Sequence, residues 1–170
     1  MRHLYVDRVL VLERFASIVV VSSLDAEDEL FRYHFPARPV VPASLLVEVF
    51  AQVATVLLEA SIGYARKAIP VLVNGAKFRH AVIPGTGMEV VMNVSQHSED
   101  GAVLGGRIEQ AGRVCSTIEL GMALEPLERF FTPADRELYH AMHAGWLRGA
   151  RIEGFDRHPL EDLNFVGRQS

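Results

Sequence analysis

Residues 44–62 are apolar almost all round: Leu45, Leu46, Val47, Val49, Phe50, Ala51, Val53, Ala54, Val56, Leu57 and Leu58. A helix with so little polar surface must be enclosed by the rest of the fold. Its polar exceptions after Ser44 are Glu48, Gln52, Thr55 and Glu59, spaced four, three and four, so they line up in one stripe. Upstream, Pro36, Pro39 and Pro42 stiffen the loop that leads into the helix and bias the residues before them toward extended backbone. His34 opens that loop, placing an imidazole on a stiff loop and a carboxylate one turn into an apolar helix. A carboxyl group buried without a charged partner keeps its proton toward neutral pH and serves as a proton donor. The alternative is that the stripe is only the solvated or partner-facing side of a core helix.

With 170 residues, 49% of them hydrophobic, the chain suits one well-packed domain. Its net charge is −4 and its basic residues are dispersed, which argues against nucleic-acid binding. Cys115 is the single cysteine, so neither an internal disulfide nor a thiolate metal site is expected, and the pattern fits a reducing compartment. Asp7 and Arg8 interrupt any signal-peptide core, and the carboxylates of the long helix argue against a membrane span. A cytoplasmic protein is expected.

The hydrophobic period predicts strands at residues 5–12 and 15–22, a polar stretch with at most one helical turn at 25–33, then the buried helix with Gly63 at its C-terminal end. Downstream the period becomes two, with strands at 71–79, 88–94, 103–109 and 113–124 separated by Pro84-Gly85, Glu99-Asp100-Gly101 and Ala111-Gly112. Strands in runs around one long helix give an α+β fold, an antiparallel sheet of about six strands wrapped around the helix. Gly105-Gly106 inside a strand suggests a bulge. A core of residues 1–126 is followed by an extension, 127–170. There Thr132-Pro133 caps a helix whose apolar stripe is Leu138, Met142 and Leu147 beside Tyr139 and Trp146, and residues after Gly154 read as extended or mobile tail.

His34, Phe35, Pro36, Arg38, Pro39, Pro42, Glu48 and Gln52 stand in the register of a known signature. The segment resembles the β-hydroxyacyl-acyl carrier protein dehydratases. Lys77-Phe78-Arg79 before Pro84-Gly85, and Val6-Asp7-Arg8-Val9, extend the resemblance over about residues 4–125. The family usually has glycine where this chain has Tyr33, Ala37 and Ala43, and an acidic residue where it has Thr86. The resemblance implies the hotdog fold. It also implies a homodimer, or a larger assembly of dimers, in which His34 of one chain meets Glu48 of the other, with Gln52 orienting the carboxyl group.

Dehydrating a 3-hydroxyacyl thioester needs a base for the α-proton, an acid for the departing hydroxyl and a donor for the thioester oxygen. His34 suits the base, because an ordinary imidazole, with a pKa near ~6.5, is largely neutral at pH 7. Glu48, if buried and protonated, suits the acid. Backbone N–H groups near Ala43, at the start of the helix, suit the oxygen. Val41, Leu45, Val49 and Phe78 are expected to line an apolar acyl tunnel, with a substrate linked to acyl carrier protein or CoA. No nucleotide-binding fingerprint is present, His140 and His143 lack a third metal ligand, and neither cofactor nor metal is expected. Two other functions fit the same fold: a thioesterase, which needs no histidine at position 34, and a non-catalytic subunit that binds acyl chains or carrier protein.

Overall fold

The computed structural model describes residues 5–163. Its centre is α2, Ala43–Ser61, in which Leu46, Val49, Phe50, Val53, Ala54, Val56, Leu57 and Leu58 are all buried. By length and composition alone this helix could cross a membrane. Here a sheet wraps it instead, and each large apolar side chain so removed from water contributes about 1.5–3 kcal/mol. The sheet is made of β1 (Arg8–Glu13), β2 (Ser17–Ser22), β3 (Arg66–Phe78), β4 (Met88–His97), β5 (Gly101–Gln110), β6 (Arg113–Pro126) and β7 (Arg151–Glu153). The order across it is β3-β6-β5-β4-β2-β1-β7, antiparallel except for the β1–β7 pair.

The α+β plan of a sheet around one helix is as expected, with two differences in detail. A seventh strand joins the sheet, because Arg14 N–H donates to the Glu153 carbonyl (3.0 Å) and draws the C-terminal segment alongside β1. β3 also begins at Arg66, earlier than the alternation indicated, and runs through Pro70. A proline is tolerated there because β3 is an edge strand and its register shifts between Pro70 and Leu72.

Gly105-Gly106 is not a bulge; the β4–β5 register runs straight through both residues. A Cβ on Gly106 would lie 2.1 Å from Met92 Sδ and 3.1 Å from the Phe50 ring, so glycine is needed where β5 passes close beneath α2. At the predicted Pro84-Gly85 turn, Gly85 has φ +79° and donates its N–H to the Leu24 carbonyl at 2.7 Å.

Before α2, α1 (Glu29–Arg32) is a single turn capped by Asp28, whose side chain accepts from Leu30 N–H. Beyond β6 a 3₁₀ turn at Leu127–Arg129 leads to α3, Pro133–Leu147, opened by the Thr132–Asp135 capping box. The expected stripe on α3 needs correction. Leu138 is 76% exposed, and the inward face carries Tyr139, Met142, His143, Trp146 and Leu147. After β7 the tail is ordered further than expected: Phe155 packs against the core and α4 (Pro159–Leu163) follows, while residues 164–170 lie outside the described residues.

Gly106→Val should reduce stability by about 1–3 kcal/mol through overpacking against Met92 and Phe50. Gly105→Val, where a Cβ meets nothing within 4 Å, is the control expected to change little. Urea denaturation of both variants checks the difference.

Candidate functional site

The polar stripe of α2 runs from an exposed to a buried end. Glu48 is exposed, Gln52 and Thr55 are half-buried, and Glu59 is 0% exposed. The expectation of a buried Glu48 therefore does not hold for the single chain; Glu59 is the buried carboxylate of this helix. Gln52 links Glu48 to the fold: its Oε1 accepts from Tyr5 N–H at 2.8 Å, and its Nε2 donates to Glu48 Oε1 at 2.9 Å. Once Tyr5 occupies the carbonyl oxygen, the amide can offer Glu48 only its N–H₂ side, so the orientation of Gln52 is settled.

His34 follows α1 and is half-buried. Its Nδ1 lies 3.0 Å from the Val40 carbonyl, and its own carbonyl accepts from Val40 N–H at 2.8 Å, closing the proline loop on itself. Val41 N–H then donates to the Val82 carbonyl (2.8 Å), pinning the loop to the segment after β3. A carbonyl can only accept, so Nδ1 carries a proton, and in the neutral ring this tautomer puts the lone pair on Nε2. α2 starts at Ala43 after Pro42, which supplies no side-chain cap, and no acidic residue lies in the first turn. The N–H groups of Ala43 and Ser44 therefore receive no side-chain cap, while those of Leu45 and Leu46 donate to the Pro42 carbonyl. Among the described residues, no hydrogen bond or ion pair joins His34 to Glu48 within the chain.

An open groove of about 360 Å³ begins beside Glu48 and Gln52 and runs along Thr55 and Val56, between the start of β3 (Lys67 to Pro70) and α3. None of the four residues expected to line an acyl tunnel borders it. Val41 and Val49 are packed in the core, Leu45 is half-buried and Phe78 is exposed at the end of β3. Val49 is completely buried, whereas Glu48, Gln52 and Thr55 of the stripe line the groove.

Away from Glu48, the groove meets a buried polar cluster. Lys67 Nζ donates to Glu59 Oε1 (2.7 Å) and to Tyr139 Oη (2.8 Å), Tyr139 Oη–H donates to Glu59 Oε2 (2.7 Å), and Ala68 N–H donates to Glu59 Oε1 (2.9 Å). Burial pushes the Glu59 carboxyl above its ordinary pKa, and Lys67, Tyr139 and the Ala68 amide pull it back. Burial, with the Glu59 charge second, also pushes the Tyr139 phenol up. His143 is 0% exposed among the rings of Tyr64, Tyr139 and Trp146, with Nε2 3.8 Å from Glu59 Oε2 and no hydrogen bond at either nitrogen. Burial lowers its pKa to about 3, with Lys67 and His140 as lesser causes, so the ring is neutral at physiological pH.

Setting His140 and His143 aside as a pair without a third metal ligand overlooked this cluster. The spacing of Tyr139, Met142, His143 and Trp146 on one helical face was the available signal. Among the described residues, no group of three or more His, Cys, Asp or Glu side chains is arranged to hold a metal ion.

Residues 2–117 match the FabA-like domain. The 3-hydroxyacyl-[acyl-carrier-protein] dehydratase FabZ of Campylobacter concisus is 33% identical over 124 residues, 69% of this chain and 84% of that protein. FabZ of Rickettsia massiliae is 37% identical over 95 residues, 55% of this chain and 66% of the relative. Among solved structures, the dehydratase heterocomplex ApeI:P from Xenorhabdus doucetiae aligns with a TM-score of 0.52 at 19% identity, covering 64% of this chain and 88% of that one. The smu.793 protein of Streptococcus mutans, bound to acetyl CoA, aligns at 0.56 and 9% identity over 70% and 88%. Likeness at these identities shows the fold alone. The family match ends before α3 begins.

Two outcomes test the buried cluster. Glu59→Ala strands the Lys67 ammonium and should lower unfolding free energy by about 3–5 kcal/mol. His143, whose folded pKa is depressed, stabilises the protein above its unfolded value of ~6.5 and loses that contribution as pH falls. Between pH 7 and 5 the loss should be about 2 kcal/mol, and His143→Phe should remove it. Glu59, whose pKa is raised, acts in the opposite direction, so the quantity to compare is the difference between the two proteins' stability–pH slopes from denaturant titrations.

Proposed function

Because the chain belongs to the FabA-like domain family, we propose that it dehydrates (3R)-3-hydroxyacyl thioesters, carried on acyl carrier protein, to trans-2-enoyl thioesters. The observation that carries this is the preparation of two side chains in the motif register: His34, with Nδ1 committed to Val40, and Glu48, held by Gln52, which is itself anchored on Tyr5. In the proposed step His34 Nε2 takes the α-proton, and the C–H pair becomes the C=C bond. Glu48 gives its proton to the hydroxyl as the C–O bond breaks, and water leaves. The open N–H groups around Ala43 steady the charge growing on the thioester oxygen.

A homodimer supplies what one chain lacks. β3 is an edge strand with Val71, Leu72, Val73 and Phe78 exposed, an apolar edge that pairing with a second copy would cover. In such a dimer His34 of each protomer works with Glu48 of its partner. The buried, lone Cys115 and the core position of α2 support a cytoplasmic setting.

Incubating the protein with a 3-hydroxyacyl thioester and separating the products by chromatography tests the reaction type. The enoyl thioester is expected, whereas free acid would identify a thioesterase instead. His34→Ala and Glu48→Gln should each lower turnover by about 10² to 10⁴ with the oligomer intact by sedimentation. Full activity in both variants would rule out these roles.

A further inference from the structure

The groove beside Glu48 is completed by a part of the chain that lies outside the family match. Tyr139, Met142, His143 and Trp146 come from α3, and Phe130 from the turn before it. Their place along α2 follows from the hydrogen bonds. Tyr139 Oη sits 2.7 Å from Glu59 Oε2, and Glu59 lies eleven residues after Glu48, about 16 Å along the helix axis. Tyr139, and His143 with its Nε2 3.8 Å from Glu59 Oε2, therefore stand at the end of the groove away from the carboxylate proposed to act on the hydroxyl. Between the two ends the lining is Thr55, Val56, Ala68, Ile69 and Pro70, which offers little for a polar chain to bond.

α3 is fastened here. The Glu59–Lys67–Tyr139 triangle ties it to both α2 and β3, Leu147 is fully buried, and β7, which follows directly, is paired with β1. Met142 lies on the same face of α3 as Tyr139 and His143 but takes no part in the triangle, so it can vary in size without loosening the fastening.

We propose that α3 is the chain-length stop of this protein, with Met142 as the residue that sets where the acyl tail must end. This rests on the acyl-thioester function proposed above. The length of groove between Glu48 and the Glu59 end, at most about 16 Å along α2, bounds the extended tail it can hold. A longer tail meets Met142 and the closed polar triangle behind it, where an alkyl end would displace hydrogen bonds that it cannot replace.

Two measurements on the full-length protein test this: kcat/KM for 3-hydroxyacyl thioesters from about four to about fourteen carbons, and calorimetric binding of saturated acyl thioesters of the same lengths. In the wild type both should rise with each added pair of carbons, by roughly tenfold, and then fall beyond the stop. Met142→Ala should move the fall to longer chains by two carbons or more, and Met142→Trp should move it to shorter ones. Opposite shifts cannot come from general loosening of the fold. If no substrate is converted but the binding optimum still moves with Met142, the dehydratase assignment fails and the stop stands. If the length profiles of wild type and both variants coincide, or no acyl thioester binds, the stop is overturned.

Discussion

A helix as apolar as α2 can exist in water only while something surrounds it, and the wrapped sheet satisfies that requirement. Its consequences reach the candidate site. Gly106 lacks a side chain because Phe50 of the helix and the Met92 side chain of the paired strand β4 already fill the space a Cβ would need. Enclosure also makes the stripe of Glu48, Gln52, Thr55 and Glu59 conspicuous, since any polar group on this helix needs a partner or an opening. Glu48 has the opening, with Gln52 beside it. Glu59 has the partners, and the two ends of one helix face thus reach opposite electrostatic solutions.

The buried end shows how the C-terminal extension becomes part of the fold. Glu59 inside the sheet would be costly alone, and Lys67 from β3 compensates its charge while Tyr139 from α3 takes the remaining oxygen. Beside it, neutral His143 fills the space between three aromatic rings without a charge to solvate. The extension is therefore joined to the core through polar bonds that require α2, β3 and α3 together. It supplies one wall of the groove that opens at Glu48.

Much of this was legible in the order of residues. The buried helix, the strand runs and the Pro84-Gly85 turn follow from period and turn chemistry, and the His34 to Gln52 register follows from the motif. What was not legible depends on contacts distant in sequence. The alternation of β7 is too short to signal a strand, and its place comes from Arg14 bonding Glu153. Leu138 read as the first member of an apolar stripe, yet the inward face of α3 is set by Tyr139 reaching Glu59, eighty residues away. Val41 and Val49 carry the apolar character expected of a tunnel, and in the single chain both are buried in the core. Glu48 is exposed in the single chain because apolar neighbours in sequence do not by themselves cover a side chain; its burial would have to come from a second chain.

The central claim is that one reaction centre draws His34 from one chain and Glu48 from another. It is tested most directly by mixing the inactive His34→Ala and Glu48→Gln proteins, exchanging subunits, and measuring turnover of a 3-hydroxyacyl thioester. Each heterodimer would contain one centre with both native side chains and one with neither, so activity should return toward half the wild-type value per heterodimer. Confirmed subunit exchange with no recovery of activity would contradict a centre shared between two chains.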